Sequence, residues 1–280
     1  TTAWRDAQLH TVVVTGTRTP KLLLNSPVLT EVITASQIAQ ADATNLQDLL
    51  QHILPGVEFS YAMNQQTHMN CAGFGGQSML VLVDGERLAG ETMDDVDFTR
   101  LSMDNVDHVE IVKGAASALY GSNANGGVIN IITKEAVQPF GLSVNGRIGR
   151  HNEQRYGLSW QQGGEKLTNL FNVSRTRMDN YEVKSGDHPV TRVFSTIYGD
   201  AVWNFKNQLT YRCTDRFKLT GRAGYFFRQL TRTADAPERY RDLSAGLRGQ
   251  WAISETDHLE LSYAFDEYDK SDYQKRMRLD

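Results

Sequence analysis

The side chains best suited to chemistry gather in residues 61–76, YAMNQQTHMNCAGFGG. His68, Met69 and Cys71 fall within four positions, with Tyr61 and Met63 upstream. Imidazole, thioether and thiolate are ligands for iron and copper. A neutral histidine with an exposed ring nitrogen is competent to bind haem iron axially through His68, with Met69 as the alternative donor. The competing reading is a polar loop whose histidine only hydrogen-bonds. A second cluster, Asp94, Asp95 and Asp97, has the oxygen ligands that Ca²⁺ takes, but carboxylates so placed more often cap a short helix. Gly73-Phe74-Gly75-Gly76 lacks the spacing and the following helix of a dinucleotide fingerprint, and neither H-E-x-x-H nor G-x-S-x-G occurs. Nothing supports an enzyme, and no intrinsic cofactor is expected.

The elements that must position these groups change character near residue 137. Before it the chain is mixed. Val28 to Ile33 is β-like, and Ala43 to Ile53 carries Leu46, Leu49, Leu50 and Ile53 at helical spacing until Pro55-Gly56 stops it. Met79 to Val83 is an apolar strand ending in the turn pair Asp84-Gly85. Val106 to Val112 and Gly126 to Ile132 are further strands, with a short helical stretch at Ala115 to Tyr120 between them. This predicts a small α+β domain.

From Phe140 onward, strict alternation recurs in six segments, and Leu167 to Met178 reads as a weaker seventh strand. Trp203, Phe205, Leu209 and Tyr211, for example, oppose Asn204, Lys206, Gln208 and Thr210. Several of these strands are longer than the usual five or six residues of a globular strand. Tight turns at Gly163 to Lys166, Thr214-Asp215 and Ser254 to Asp257 separate mostly longer connections, notably Asp179 to Phe194 and Arg232 to Glu238. That asymmetry, with Trp160, Trp203, Trp251, Phe217 and Tyr211 on the apolar face, predicts a transmembrane β-barrel rather than a soluble sandwich. The mean hydropathy of −0.44 does not oppose this, because alternating strands are polar on average. No apolar run approaches 18 residues, which excludes a helical membrane protein. A formal net charge of −4 gives no reason to expect nucleic acid as a partner. Thr1 to Asp6 lacks a signal-peptide core, so a cytosolic chain and a processed one both fit. Cys71 and Cys213 have no motif spacing, and one bridge between them stays open. Seven strands cannot enclose a domain of this size. A lumen that does needs roughly 22, so the chain is expected to be the N-terminal part of a longer protein.

Residues 109–134, VEIVKGAASALYGSNANGGVINIITK, resemble the plug signature of TonB-dependent outer-membrane receptors. Leu82-Val83-Asp84-Gly85, and Leu49-Leu50 through Pro55-Gly56-Val57, are similar to further plug motifs. The resemblance implies three parts: an N-terminal TonB-box segment at 1–18, a plug domain at 19–137 and the first barrel strands at 138–280. It implies residence in the bacterial outer membrane, contact with membrane lipid and import of a small-molecule ligand with energy delivered by TonB. A surface lipoprotein partner is also compatible with it.

Thr11, Val12, Val13, Val14 and Thr15 look like the TonB box, a β-branched run suited to strand addition. The alternative is that Val12 to Val14 form the first plug strand. In the family, the loop that matches residues 61–76 faces the outside at the plug apex, which implies ligand-binding roles for Tyr61, Met63, His68, Met69 and Cys71. Haem is the preferred transported ligand, followed by cobalamin, then ferric siderophore or copper. A sensor or adhesin without transport is the other function class. Sensors of this family carry an extra N-terminal signalling domain, for which Thr1 to His10 is too short.

Overall fold

The computed structural model describes residues 12–13, 15, 21–23, 28–43, 45–61, 67–71, 74–75, 79–87, 97–114, 120, 124, 126–135, 139–184, 193–231, 237–254 and 257–272. The chain forms two compact units, 1–134 and 135–280.

The first unit begins with β1 (Val12–Val13), paired antiparallel with β2 (Lys21–Leu22). Its main sheet contains β3 (Thr30–Thr34), β7 (Met79–Val83), β8 (Glu86–Arg87), β9 (Val106–Lys113) and β10 (Gly127–Thr133), in the order β3-β9-β10-β7-β8. Only the β7–β10 pair is parallel. The central strands are buried on both faces. Ile129 and Ile131 belong to one core with Val81, Val109 and Ile111, while Val128 packs in another with Leu80, Leu82 and Val112. Two-sided burial explains why these strands read as apolar runs rather than alternations. The sequence pair Asp84-Gly85 makes the expected two-residue hairpin. Both residues have positive φ, 51° and 81°, as a type I′ turn requires.

Two helices cover the larger core. Helix α1 (Ala35–Ala41) is absent from the sequence reading because Ile38 is its only buried residue. Its signal was local: Thr34 and Gln37 form a capping box, with Thr34 accepting from the Gln37 amide and Gln37 from the Thr34 amide. Helix α2 (Leu46–Ile53) is the expected one. Asn45 caps it by accepting from the Asp48 amide at 3.0 Å, and Leu46, Leu49 and Leu50 are completely buried. The expected helix at Ala115 to Tyr120 lies outside the described residues except for Tyr120.

The second unit is a seven-stranded antiparallel sheet: β11 (Phe140–Ile148), β12 (Gln154–Gly163), β13 (Leu167–Arg177), β16 (Asp200–Thr214), β17 (Phe217–Leu230), β18 (Glu238–Ala252) and β19 (His258–Asp272). The seven expected strands are all present. The connection from Asp179 to Phe194, read as a plain loop, folds partly into a hairpin of β14 (Tyr181–Lys184) and β15 (Val193–Ile197). Ile197 therefore closes that hairpin, and β16 begins at Asp200.

Register joins the outward residues into rows. Val144, Leu158, Val173, Phe205, Tyr225 and Leu243 are successive cross-strand partners. Trp203 stacks beside Phe205 at 5.8 Å, and Phe205 meets Tyr225 at 6.3 Å. Leu247, Leu261, Tyr263 and Trp251 continue this exposed apolar face. The aromatic residues mark both of its ends. Trp160, Tyr211, Phe217 and Trp251 lie toward the short turns, while Trp203 lies toward the longer connections, with Tyr156 and Phe227 in its row. No helix among the described residues is long and apolar enough to cross a membrane.

Candidate functional site

The segment expected to be an apex loop contains a small antiparallel sheet: β4 (Val57–Tyr61), β5 (Thr67–Cys71) and β6 (Phe74–Gly75). His68 sits opposite Ser60, and Met69 opposite Phe59. The structure corrects the role of Met69. It is only 3% exposed and belongs to the large core, where Phe59 also packs. Phe59 in turn meets Phe98 edge to face at 5.4 Å. A thioether enclosed by hydrocarbon fills space. The side chains of Tyr61, His68 and Cys71, and all of Met63, lie outside the described residues. Cys213 is a free thiol. Asp94 and Asp95 also lie outside them, while the Asp97 carbonyl accepts from the Arg100 amide at the start of a 3₁₀ turn (Phe98–Arg100). Among the described residues, no three His, Cys, Asp or Glu side chains gather as a metal site.

The N-terminal segment is more tightly defined. Thr11 and Val14 lie outside the described residues. Val13 is 1% exposed, and Thr15 is fully buried. Every polar group of Thr15 meets a side chain. Its amide donates to Glu110 Oε2 at 2.6 Å, its hydroxyl accepts from Asn130 Nδ2 at 2.9 Å, and its carbonyl accepts from the Tyr120 hydroxyl at 2.9 Å. Glu110 and Asn130 are themselves cross-strand partners on β9 and β10. Burying a carboxylate in a central strand is costly unless it is bonded, and Thr15 supplies one of those bonds. The other oxygen of Glu110 meets His108 Nε2 at 3.1 Å, and His108 Nδ1 meets Asp107 at 2.7 Å. Burial works to lower the His108 pKa. Hydrogen bonds and charge from Glu110 and Asp107 outweigh it, so the net shift is upward. The sequence reading missed Glu110 and Asn130. Their signal was a polar residue inside each of two apolar runs, VEIV and VINII.

A neighbouring polar device fixes the β7–β8 hairpin. Asp84 accepts from both the amide and the hydroxyl of Thr133 at 2.8 Å, and Asn130 Oδ1 accepts from the Gly85 amide at 3.0 Å. Asn130 thus bonds to the hairpin with its oxygen and to Thr15 with its nitrogen.

In the second unit the inward face is polar. Ser159 donates to Asn172 at 2.6 Å, Thr210 and Thr220 are 3.1 Å apart, and Arg228 donates to Asp200 at 2.8 Å. Toward the longer connections this face becomes aromatic. Val202, Phe226, Leu230 and Tyr240 form a buried cluster flanked by Tyr198 and Tyr268. Arg228 and Lys270 each lie about 5.5 Å from the Tyr240 ring, whose hydroxyl donates to Glu238 at 2.6 Å.

With this geometry in hand, comparison with known proteins places the chain. Residues 23–128 match the family model of the TonB-dependent receptor plug domain. This chain carries a TonB-dependent receptor plug domain. The vitamin B12 transporter BtuB of Vibrio cholerae is 37% identical over 152 residues, which are 54% of this chain and 25% of that protein. The ferric-catecholate import receptor Fiu from E. coli K12 shares the fold at TM-score 0.73 and 17% identity, over 90% of this chain and 40% of that one. The copper transporter OprC does so at TM-score 0.72 and 18% identity, over 89% and 38%. The chain thus spans 25% of its V. cholerae relative's length. Like the receptors it matches, this one is a bacterial outer-membrane protein, and the exposed apolar face of its second unit is the lipid-facing face of a β-barrel wall.

Proposed function

We propose that the whole protein imports a corrinoid across the outer membrane, using energy passed on by TonB. The division behind this reading is a TonB-box segment at 1–18, a plug at 19–137 and barrel strands from 138 onward. The observation that carries the choice of ligand is the 37% identity to a vitamin B12 transporter over 152 residues. Burial of Met69 points the same way, since it takes one of two iron donors out of the haem reading and leaves His68 alone. A corrinoid brings its cobalt already coordinated and is held by shape and hydrogen bonds, so it needs no protein metal ligand. In this reading Tyr61, Met63, His68 and Cys71 belong to the ligand-facing plug apex. The protein acts as a receptor and not as an enzyme.

The N-terminal run Thr11 to Thr15 pairs with TonB by strand addition. The Thr15 contacts with Glu110, Asn130 and Tyr120 support a docked resting state that must open before such pairing is possible.

The test is equilibrium binding of cyanocobalamin and of haem to the purified full-length receptor, followed by absorbance. Saturable corrinoid binding that survives His68→Ala is expected, with no Soret shift on adding haem. Haem binding with a shifted Soret band that His68→Ala abolishes would overturn the corrinoid choice in favour of haem.

A further inference from the structure

The outward face of the barrel wall is uncharged across its middle and abruptly basic at one edge. From the row Val144-Leu158-Val173-Phe205-Tyr225-Leu243 down to the short turns, no outward position on β11 to β18 carries a charge. The next row toward the longer connections reads Tyr156, Arg175, Trp203, Phe227, Arg241, and the one beyond it includes Arg177, Ala201, Gln229 and Arg239. Two arginine pairs, on β13 and β18, therefore flank an aromatic pair directly above the apolar band. Three interstrand steps separate them, about 14 Å.

Arg175 is the most informative member. Its guanidinium lies over the Trp203 ring at 5.5 Å. Its Nε is buried and donates to nothing among the described residues. No carboxylate among them compensates its charge. Among the described residues Arg177 meets only Asp179, at 3.3 Å and with both side chains about half exposed, a pair that holds it weakly. Apart from Asp179, the acids of these rows lie on β19, where Asp269 is the cross-strand partner of Arg241 and Glu267 that of Leu243.

We propose that this edge binds the phosphate of a phosphorylated glycolipid headgroup in the outer leaflet of the membrane. Arg175 and Arg177 form the primary site, and Arg239 with Arg241 a second one. The occupant follows from position and chemistry. Short turns lie on the periplasmic side of such barrels, so the arginine edge lies at the outer leaflet. A guanidinium matches phosphate oxygens with two parallel bonds. The site is also continuous with the lipid-facing band, so a headgroup seated here keeps its acyl chains against Val173, Phe205 and Tyr225. Trp203 and Phe227 stand at the interface, where an aromatic body meets both chain and headgroup.

The experiment is native mass spectrometry of the detergent-solubilised full-length receptor with added bis-phosphorylated lipid A, its dephosphorylated form, or phosphatidylglycerol. Folding of each variant is checked by heat-modifiable gel mobility. We expect a lipid A adduct on the wild type, and an affinity roughly tenfold lower in the Arg175→Gln/Arg177→Gln double variant. Arg175→Lys should fall between them, since the charge stays and the fork is lost. Arg222→Gln/Arg248→Gln, on the opposite face, should bind as the wild type does. Equal binding of the dephosphorylated lipid, or of the folded double variant, would overturn the proposal. Equal binding of phosphatidylglycerol would overturn the choice of a glycolipid. Displacement of lipid A by millimolar inorganic phosphate would show a free-anion site and overturn it too.

Discussion

Strand β10 in the plug and strand β18 in the barrel wall solve opposite problems with the same backbone. Consecutive residues of β10 enter different cores: Val128 packs with Leu80 and Val112, and Ile129 with Val81 and Ile111. Consecutive residues of β18 enter different solvents. Leu243 and Leu247 face outward, 51% and 50% exposed in the isolated chain, while Asp242 is buried on the other side. In the plug both faces need hydrocarbon, so polarity is admitted only where it is bonded, as at Glu110 and Asn130. In the barrel wall the alternation itself carries the information, because lipid rewards what water would penalise.

The sharpest way to break this comparison is a charge scan along both strands. In β10, Val128→Asp and Ile129→Asp should each cost about 3–5 kcal/mol, because either face buries an unpaired carboxylate. Denaturation of the plug within the full-length receptor measures this. A tolerant position in that pair would mean that one face of the sheet is wet. In β18 the penalty should alternate. Leu247→Arg should cost about 2–4 kcal/mol in a refolding assay into lipid bilayers, and Ser244→Arg close to nothing. Equal tolerance of the two would defeat the assignment of the outward face to lipid.

The same contrast explains what was legible in the sequence. Six of the seven wall strands could be read because one period of two repeats through each of them, while β13, with Asn169 outward and Leu170 inward, gave a weaker signal. The plug strands β7, β9 and β10 stood out as short apolar runs bounded by Asp84-Gly85 and Gly114. The β4–β6 sheet was hidden, because Asn64, Gln65, Gln66, Asn70 and three glycines give residues 61–76 the composition of a loop. Within it, His68 and Met69 looked like two equivalent donors, but burial of Met69 in the large core is a tertiary fact that adjacency in sequence cannot carry. The Thr15 contacts were hidden for a related reason. They join residues 95 to 115 positions apart, and only the odd polarity of Glu110 and Asn130 hinted at a partner.

Those contacts give the third prediction. Glu110→Gln keeps the size of the side chain and removes its charge, weakening the bond to the Thr15 amide. About 1–3 kcal/mol of local stability should be lost. Hydrogen exchange at the Thr15 amide should speed up accordingly, while exchange in α2 stays slow. Unchanged protection at Thr15 would show that the N-terminal segment is held by the β1–β2 pairing alone.

The smallest effect expected is a dependence on pH through His108. Burial disfavours its imidazolium, yet bonds and charge from Glu110 and Asp107 more than compensate, so its folded pKa lies above the ordinary 6.5. A group whose pKa is raised by folding stabilises the fold fully below its unfolded pKa. That contribution then declines as pH rises through the folded value. Plug stability should therefore fall from about pH 6.5 upward, by less than the Glu110→Gln change costs because the Thr15 bonds remain. Denaturation midpoints of the full-length receptor measured from pH 6 to pH 9 test this, with His108→Gln removing the slope. The effect also has a place. His108 touches the carboxylate that holds Thr15, so deprotonation withdraws a positive charge from Glu110 and leaves its negative charge less compensated. The Thr15 amide then faces a carboxylate whose negative charge is less offset, and its exchange should slow slightly relative to neighbouring β9 amides even as the sheet weakens. Faster exchange at Thr15 with rising pH, beyond the intrinsic chemical rate, would show instead that the imidazolium is what keeps Glu110 in place.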